Sequence, residues 1–291
     1  KNKKIIVVSF SGMTPHLETS LEISKRLVLK NDVSYVHLGL YVSRASLYSK
    51  NLLKRKLYFP IIVKRAKNYL QNKNDSLKDI HWVEGNKLNR KMQKLFNQLD
   101  KSFFNQKIDN IKDLQKLQFK EYNIGIGVAS SIITMIKDPN PFPLSNDSAN
   151  ECKQQLISAV KSILFGEILL ENSDKYDTVV ILNGRLSCEN SIKQVAISKN
   201  KTVYFHESYF KNDRFFFEQY MPHDFSMRKK EIEEVKKHLQ PNTIKLLGES
   251  FFSRKTKGED VYEKSYTKDH MNNLSENLKK QINYSTSNNK K

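Results

Sequence analysis

The chain has 291 residues, of which 38% are hydrophobic and 10% aromatic, enough for a core and enough to exclude wholesale disorder. Its 50 Lys and Arg outweigh 31 Asp and Glu, and the net charge of +19 favours anionic partners: nucleic acid, an anionic membrane face or phosphorylated substrates. Two cysteines, Cys152 and Cys188, exclude a disulfide scaffold and a cysteine-rich zinc module, and fit a reducing compartment.

No apolar run approaches the roughly 20 residues that span a bilayer. The basic start, Lys1 to Lys4, is followed by an apolar run from Ile5 to Phe10 that is too short for a secretory signal. Lys4 to Phe10 (KIIVVSF) instead predicts a buried strand, short and β-branched. Ser11 to His16 reads as a loop, Leu17 to Leu29 as a helix with Glu18 in its first turn, and Val33 to Leu40 as a second strand. This β-loop-α-β opening is the first unit of a parallel α/β sheet.

Ser46 to Gln71 reads as helical, with a break at Pro60. Ile80 to Val83 predicts a short strand, and Lys87 to Phe119 one or two helices. The span 46–119 is thus expected to be a helical insertion. The prolines from Asp138 to Pro143 end the apolar stretch that follows Ile124. Glu151 to Leu170 predicts a helix with a broad apolar face. Thr178 to Leu182 predicts a strand, Ser187 to Ser198 a helix, and Thr202 to Phe205 another strand. Arg228 to Leu239 predicts an amphipathic helix and Thr243 to Leu247 a last strand. The polar residues 259–291 read as a linker or tail, partly disordered.

Open α/β sheets bind ligands beyond the carboxyl ends of their strands. Three strand-end loops therefore carry the candidate chemistry: Ser11 to His16, Asn183 to Arg185, and His206 to Ser208. Gly12 permits a tight turn or a close backbone approach. The helix starting near Leu17 aims a positive dipole end at the same loop. His16 is a candidate general base there, and a helix cap is the alternative. Arg185 can fork onto a phosphate or carboxylate, or it can belong to a surface Asn-Gly turn. Glu207 can accept sugar hydroxyls or act as a base, or it can cap a helix or pair with Arg214 or a lysine. His206, His223 and Asp224 fall at no metal-ligand spacing, so no metal is expected. A single glycine after the first strand is not a dinucleotide fingerprint, and Gly125-Ile126-Gly127 is weak as a phosphate loop.

From Arg44 to Asn74 there are nine basic residues and no acid: Arg44, Lys50, Lys54, Arg55, Lys56, Lys64, Arg65, Lys67 and Lys73. They flank the apolar run Leu57 to Val63. Such a segment suits an anionic membrane surface, with Lys54, Arg55, Lys56, Lys64, Arg65 and Lys67 meeting lipid phosphates. The other reading is a solvated basic face. Nucleic acid is the less favoured anion, because no nucleic-acid-binding motif accompanies the charge.

Several runs in a fixed order carry a family resemblance: Phe10–Thr19 (FSGMTPHLET), Tyr122–Ser131 (YNIGIGVASS), Leu182–Arg185 (LNGR), Glu207 after a strand, and Phe251–Lys255 (FFSRK). Together they resemble the N-terminal half of a bacterial GT-B glycosyltransferase of surface or capsular polysaccharide biosynthesis, over roughly Lys4 to Gly258. The resemblance implies a Rossmann-like open parallel sheet flanked by helices, facing a second domain across a cleft. The first domain, here 1–258, takes the acceptor, a glycan or a lipid-linked glycan. The second binds a nucleotide-sugar as donor substrate, with no metal and no other cofactor. By the same resemblance His16 is the base, while Gly12, Asn183, Arg185 and Glu207 bind the acceptor. The histidine follows Thr-Pro here, where the familiar family pattern has Gly-His. A donor-binding domain needs on the order of 100 further residues, so it is expected from a longer chain or a partner. The implied place is cytoplasmic, peripheral at the inner face of the plasma membrane. The alternative function is a non-catalytic module docking on an anionic membrane or a partner enzyme.

Overall fold

The computed structural model describes residues 3–12, 15–42, 52–70, 79–172, 174–208 and 215–256. Met13, Thr14, Arg44, Lys50, Lys73, Arg214 and the expected tail 259–291 lie outside the described residues. The chain divides into two compact units, Lys1–Asp224 and Phe225–Lys291.

The first unit is α/β. Its sheet is built from β1 (Lys4–Ser9), β2 (Asp32–His37), β3 (Ile80–Trp82), β6 (Thr178–Leu182), β7 (Thr202–Ser208) and β8 (Phe215–Glu218). The spatial order is β3-β2-β1-β6-β7-β8. All neighbours are parallel except β8, which returns antiparallel along β7. A separate antiparallel ribbon joins β4 (Gln118–Phe119) to β5 (Tyr122–Asn123). The expected Rossmann-like open sheet is therefore present. From β1 the chain moves outward through β2 to β3, returns to lay β6 against the other side of β1, and moves outward again. Strand order reverses between β1 and β6, which is where such folds open a ligand crevice.

Helices cover both faces. The β1 side chains alternate between them, as the strand period of two requires. Ile5 and Val7 join Val33, Tyr35 and Val180 beneath α1 (His16–Val28) and α2 (Leu52–Leu70), which contribute Leu17, Leu21, Ala66 and Leu70. Ile6 and Val8 face the larger cluster formed with α3 (Gly85–Gln98), α5 (Gly125–Ile136), α6 (Asn146–Leu169) and α7 (Ser187–Ser198). A 3₁₀ turn (Lys101–Asn105) and α4 (Ile111–Gln115) bridge α3 to the ribbon.

Three local expectations are corrected and one is met. Pro60 does not break α2, which runs through it, since an interior proline removes a hydrogen bond without necessarily ending a helix. Within the span 46–119 the short strand expected at Ile80 to Val83 is present as β3, and it forms the sheet's edge beside β2. β7 continues to Ser208, because β8 pairs with its last four residues, so Glu207 and Ser208 sit on a strand rather than in a loop. In the second unit, α8 (Phe225–Lys237) is helical as expected, but Thr243 to Leu247 lie inside a helix, α9 (Pro241–Thr256). Pro241 stands at the first helical position, where its missing N–H costs nothing.

Candidate active site

Parallel strands deliver the ends of β1, β6 and β7 to one edge of the sheet, and α1 and α7 start from that edge. His16 is the first residue of α1. Its Nδ1 lies 3.2 Å from Ser208 Oγ and 3.6 Å from Glu207 Oε1, both on the last turn of β7's pleat. Ser208 Oγ and Nδ1 share a hydrogen bond whose direction follows the ring tautomer, and a proton on Nδ1 is the form that also suits the Glu207 carboxylate, which can only accept. At 3.6 Å the Glu207 contact is electrostatic attraction rather than a good hydrogen bond. Both contacts fall on Nδ1, which leaves Nε2 as the ring atom for an incoming proton.

The loop after β6 supplies the next layer. Asn183 Nδ2 donates to Glu207 Oε2 at 2.5 Å and to His223 Nε2 at 3.0 Å. Asn183 Oδ1 accepts the Arg185 backbone N–H at 3.3 Å. Asn183 and Gly184 both adopt positive φ, 56° and 76°. A Cβ on Gly184 would run into the Phe205 ring, so glycine is required there twice over. The tight turn returns the chain at once into α7, while the Asn183 N–H bonds the His206 carbonyl at 2.8 Å and ties the loop to β7.

Burial tunes two neighbours. His206 is fully buried with Nε2 3.3 Å from Ser20 Oγ, and burial, then the charge of His16, pushes its pKa down to about 3. It is therefore a neutral structural histidine. Glu189, in the first turn of α7, is buried, and its carboxyl is pushed up to about 8, first by burial and further by Glu207. Both cysteines are buried, and burial raises the Cys152 thiol to about 12 and the Cys188 thiol well above its usual range. Neither is available as a thiolate. Among the described residues no three His, Cys, Asp or Glu side chains gather to hold a metal ion.

Of the site residues expected from sequence, His16, Asn183 and Glu207 come together, and Arg185 is held beside them through Asn183. Gly12 lies where a Cβ would press on Ile62 of α2, so it serves the approach of that helix. Gly125 and Gly127 also serve close packing. A Cβ on the first would meet the Leu114 carbonyl, and one on the second would approach Asn190 Cβ to 2.8 Å. On the basic helix α2, Lys64 and Arg65 are exposed, whereas Lys67 pairs with Glu84 at 2.6 Å and lies over the Trp82 ring. Lys54, Arg55 and Lys56 fall in the first half of that helix.

Sequence reasoning gave Ser208 and Glu189 no role. Glu189 looks like an ordinary acid in a first helical turn. The available signal was the composition of α7 (SCENSIKQVAIS), which lacks a charged face and so marks a helix buried nearly all round. A separate cleft of about 590 Å³, lined by Phe104, Ile108, Phe142, Cys152 and Leu156 among others, lies at no strand end and contains none of the site residues.

Set against protein-family models, curated proteins and solved structures, the chain finds no match in any of the three. What the fold and the site define is a class: a Rossmann-like α/β domain with a histidine–carboxylate pair at the carboxyl edge of its sheet.

Proposed function

We propose that this domain binds the acceptor of a glycosyltransferase that moves a sugar from a nucleotide-sugar to a cell-surface polysaccharide or lipid-linked glycan, at the cytoplasmic face of the membrane. The observation that carries the reading is the His16–Glu207 contact of 3.6 Å, steadied by Ser208 and Asn183. Nε2 takes the proton of an acceptor hydroxyl as the hydroxyl oxygen bonds to the anomeric carbon of the donor sugar. The bond from that carbon to the nucleoside diphosphate breaks, and its electron pair leaves with the phosphate oxygen. Glu207 stabilises the imidazolium so formed, and its position is fixed by Asn183.

The test is a transfer assay on the full-length protein with labelled nucleotide-sugars and polysaccharide or lipid-linked acceptors. His16→Ala is expected to lower the rate by about 100-fold or more. A loss of less than a few-fold contradicts the assignment, as does the absence of transfer from every donor.

A second reading, docking on an anionic membrane through α2, is favoured by Ile61, Lys64 and Arg65, which are exposed on a helix that carries no acid. Among the described residues no helix is long and apolar enough to cross a membrane, so such contact would be peripheral. Flotation with anionic vesicles at low salt, lost at high salt, is the expected result. No flotation at low salt removes this reading.

A further inference from the structure

We infer that helices α8 and α9 form a docking surface for an anionic lipid bilayer, lying in its boundary with their apolar stripes inward. Both belong to the second unit, Phe225–Lys291. From Phe225 to Ser253 no residue is buried. Helices of 13 and 16 residues are marginal in water by themselves, so two that bury no side chain over that span call for a surface to cover them. On α8 the exposed Phe225, Ile232 and Val235 fall at i, i+7 and i+10, in one stripe. On α9 Ile244, Leu247 and Phe251 fall at i, i+3 and i+7, in another. Phe225 is 83% exposed and Phe252 68%. Large apolar side chains gathered in this way mark an interaction surface.

Charge selects the occupant. From Phe225 to Thr256 there are eight Lys and Arg and four Glu. Each acid meets a base of its own helix: Glu231 with Arg228, Glu233 with Lys236, Glu234 with Lys237, and Glu249 with Lys245. The surplus is therefore positive. Lys229 and Lys236 stand one turn beyond Phe225 and Ile232, at the border of the α8 stripe. Cations beside an apolar stripe match lipid phosphates beside acyl chains. A second copy of the chain would bring the same positive surplus and be repelled. Nucleic acid would leave the apolar stripes uncovered. A protein groove asks for one narrow stripe, but Leu246 and Phe252 are exposed off the stripe of α9 and widen its apolar surface. A fluid bilayer moulds to such a surface. Neither helix is long enough to cross the roughly 30 Å hydrocarbon core, so both lie in its boundary.

This surface is separate from the proposed transfer site and from α2, and one set of measurements tells them apart. Flotation of the full chain at low salt compares phosphatidylglycerol vesicles with phosphatidylcholine vesicles. Wild type is expected to bind the anionic vesicles about tenfold or more tighter. Ile232→Ser combined with Leu247→Ser should weaken that binding about tenfold or more, with the melting transition of wild type retained. Lys64→Glu combined with Arg65→Glu, on α2, should weaken it less. Contact is read directly by Phe252→Trp in a Trp82→Phe background, whose indole is then the only one in the chain. Brominated acyl chains in anionic vesicles are expected to quench that indole. Equal binding to both vesicle types, undiminished binding in the Ile232–Leu247 variant, or an unquenched indole overturns the inference. Binding lost in the α2 variant alone overturns it in favour of docking through α2. A lipid-free dimer that the Ile232–Leu247 variant dissolves overturns it in favour of a second copy. His16→Ala should bind vesicles as wild type does, so a failed transfer assay leaves this surface standing and a failed flotation leaves the His16 base standing.

Discussion

Glu189 and Gly184 make the site expensive to hold, each for a separate reason. Glu189 titrates near 4.5 when unfolded and near 8 when folded. Between those values the folded chain keeps a proton that the unfolded chain has released. Its contribution to stability is therefore largest at the acid end and falls as pH rises through the window. His206, lowered to about 3 from 6.5, acts in the opposite sense, with stability gained as pH rises between those values. Urea denaturation of Glu189→Gln beside wild type separates the two. The variant should gain on wild type as pH rises from 4.5 to 8, and a difference that stays flat contradicts the buried acid. At Gly184 the cost is in the backbone. Gly184→Ala places a Cβ at φ 76° against the Phe205 ring and should cost about 1–3 kcal/mol in equilibrium unfolding.

The elements around the site were legible to different degrees. β1, β6 and α7 could be read because short β-branched runs and helical spacing are local signals, and the turn Asn183-Gly184 announces itself by residue type. β8 could not be read. Its four residues, FFFE, show no alternation, and they are a strand because β7 offers them a free edge. Missing β8 also misplaced Glu207 and Ser208, whose backbone is held by that pairing. The pair of His16 with Glu207 joins residues 191 positions apart, and nothing local encodes it. The Gly125-Ile126-Gly127 run was visible, but its purpose was not. Gly127 lets α5 lie against the first turn of α7, with Asn190 Cβ 2.8 Å from where a Cβ would stand. Gly127→Val should push those helices apart at a cost of about 1–3 kcal/mol, and should lower the melting temperature. An unchanged melting temperature contradicts the close packing.

In the whole molecule, the sheet, both core clusters and every residue of the candidate active site belong to the unit Lys1–Asp224. That unit reverses its strand order beside β1, and the reversal brings the starts of α1 and α7 to a shared edge. The excess of positive charge over the full chain adds long-range attraction for anionic partners in general, which falls with ionic strength. A chain ending at Asp224 should fold by itself, with a cooperative thermal transition. A broad, non-cooperative melt contradicts the independence of this core.

If Glu207 and Ser208 hold His16 by a protonated Nδ1, Nε2 is left free to take the proton in the proposed transfer. Long-range nitrogen–proton correlation spectra of the imidazole ring test it directly and need no substrate. Neutral His16 is expected to be the Nδ1–H tautomer in wild type and to lose that preference in Glu207→Gln combined with Ser208→Ala. A wild-type ring protonated on Nε2 would contradict it.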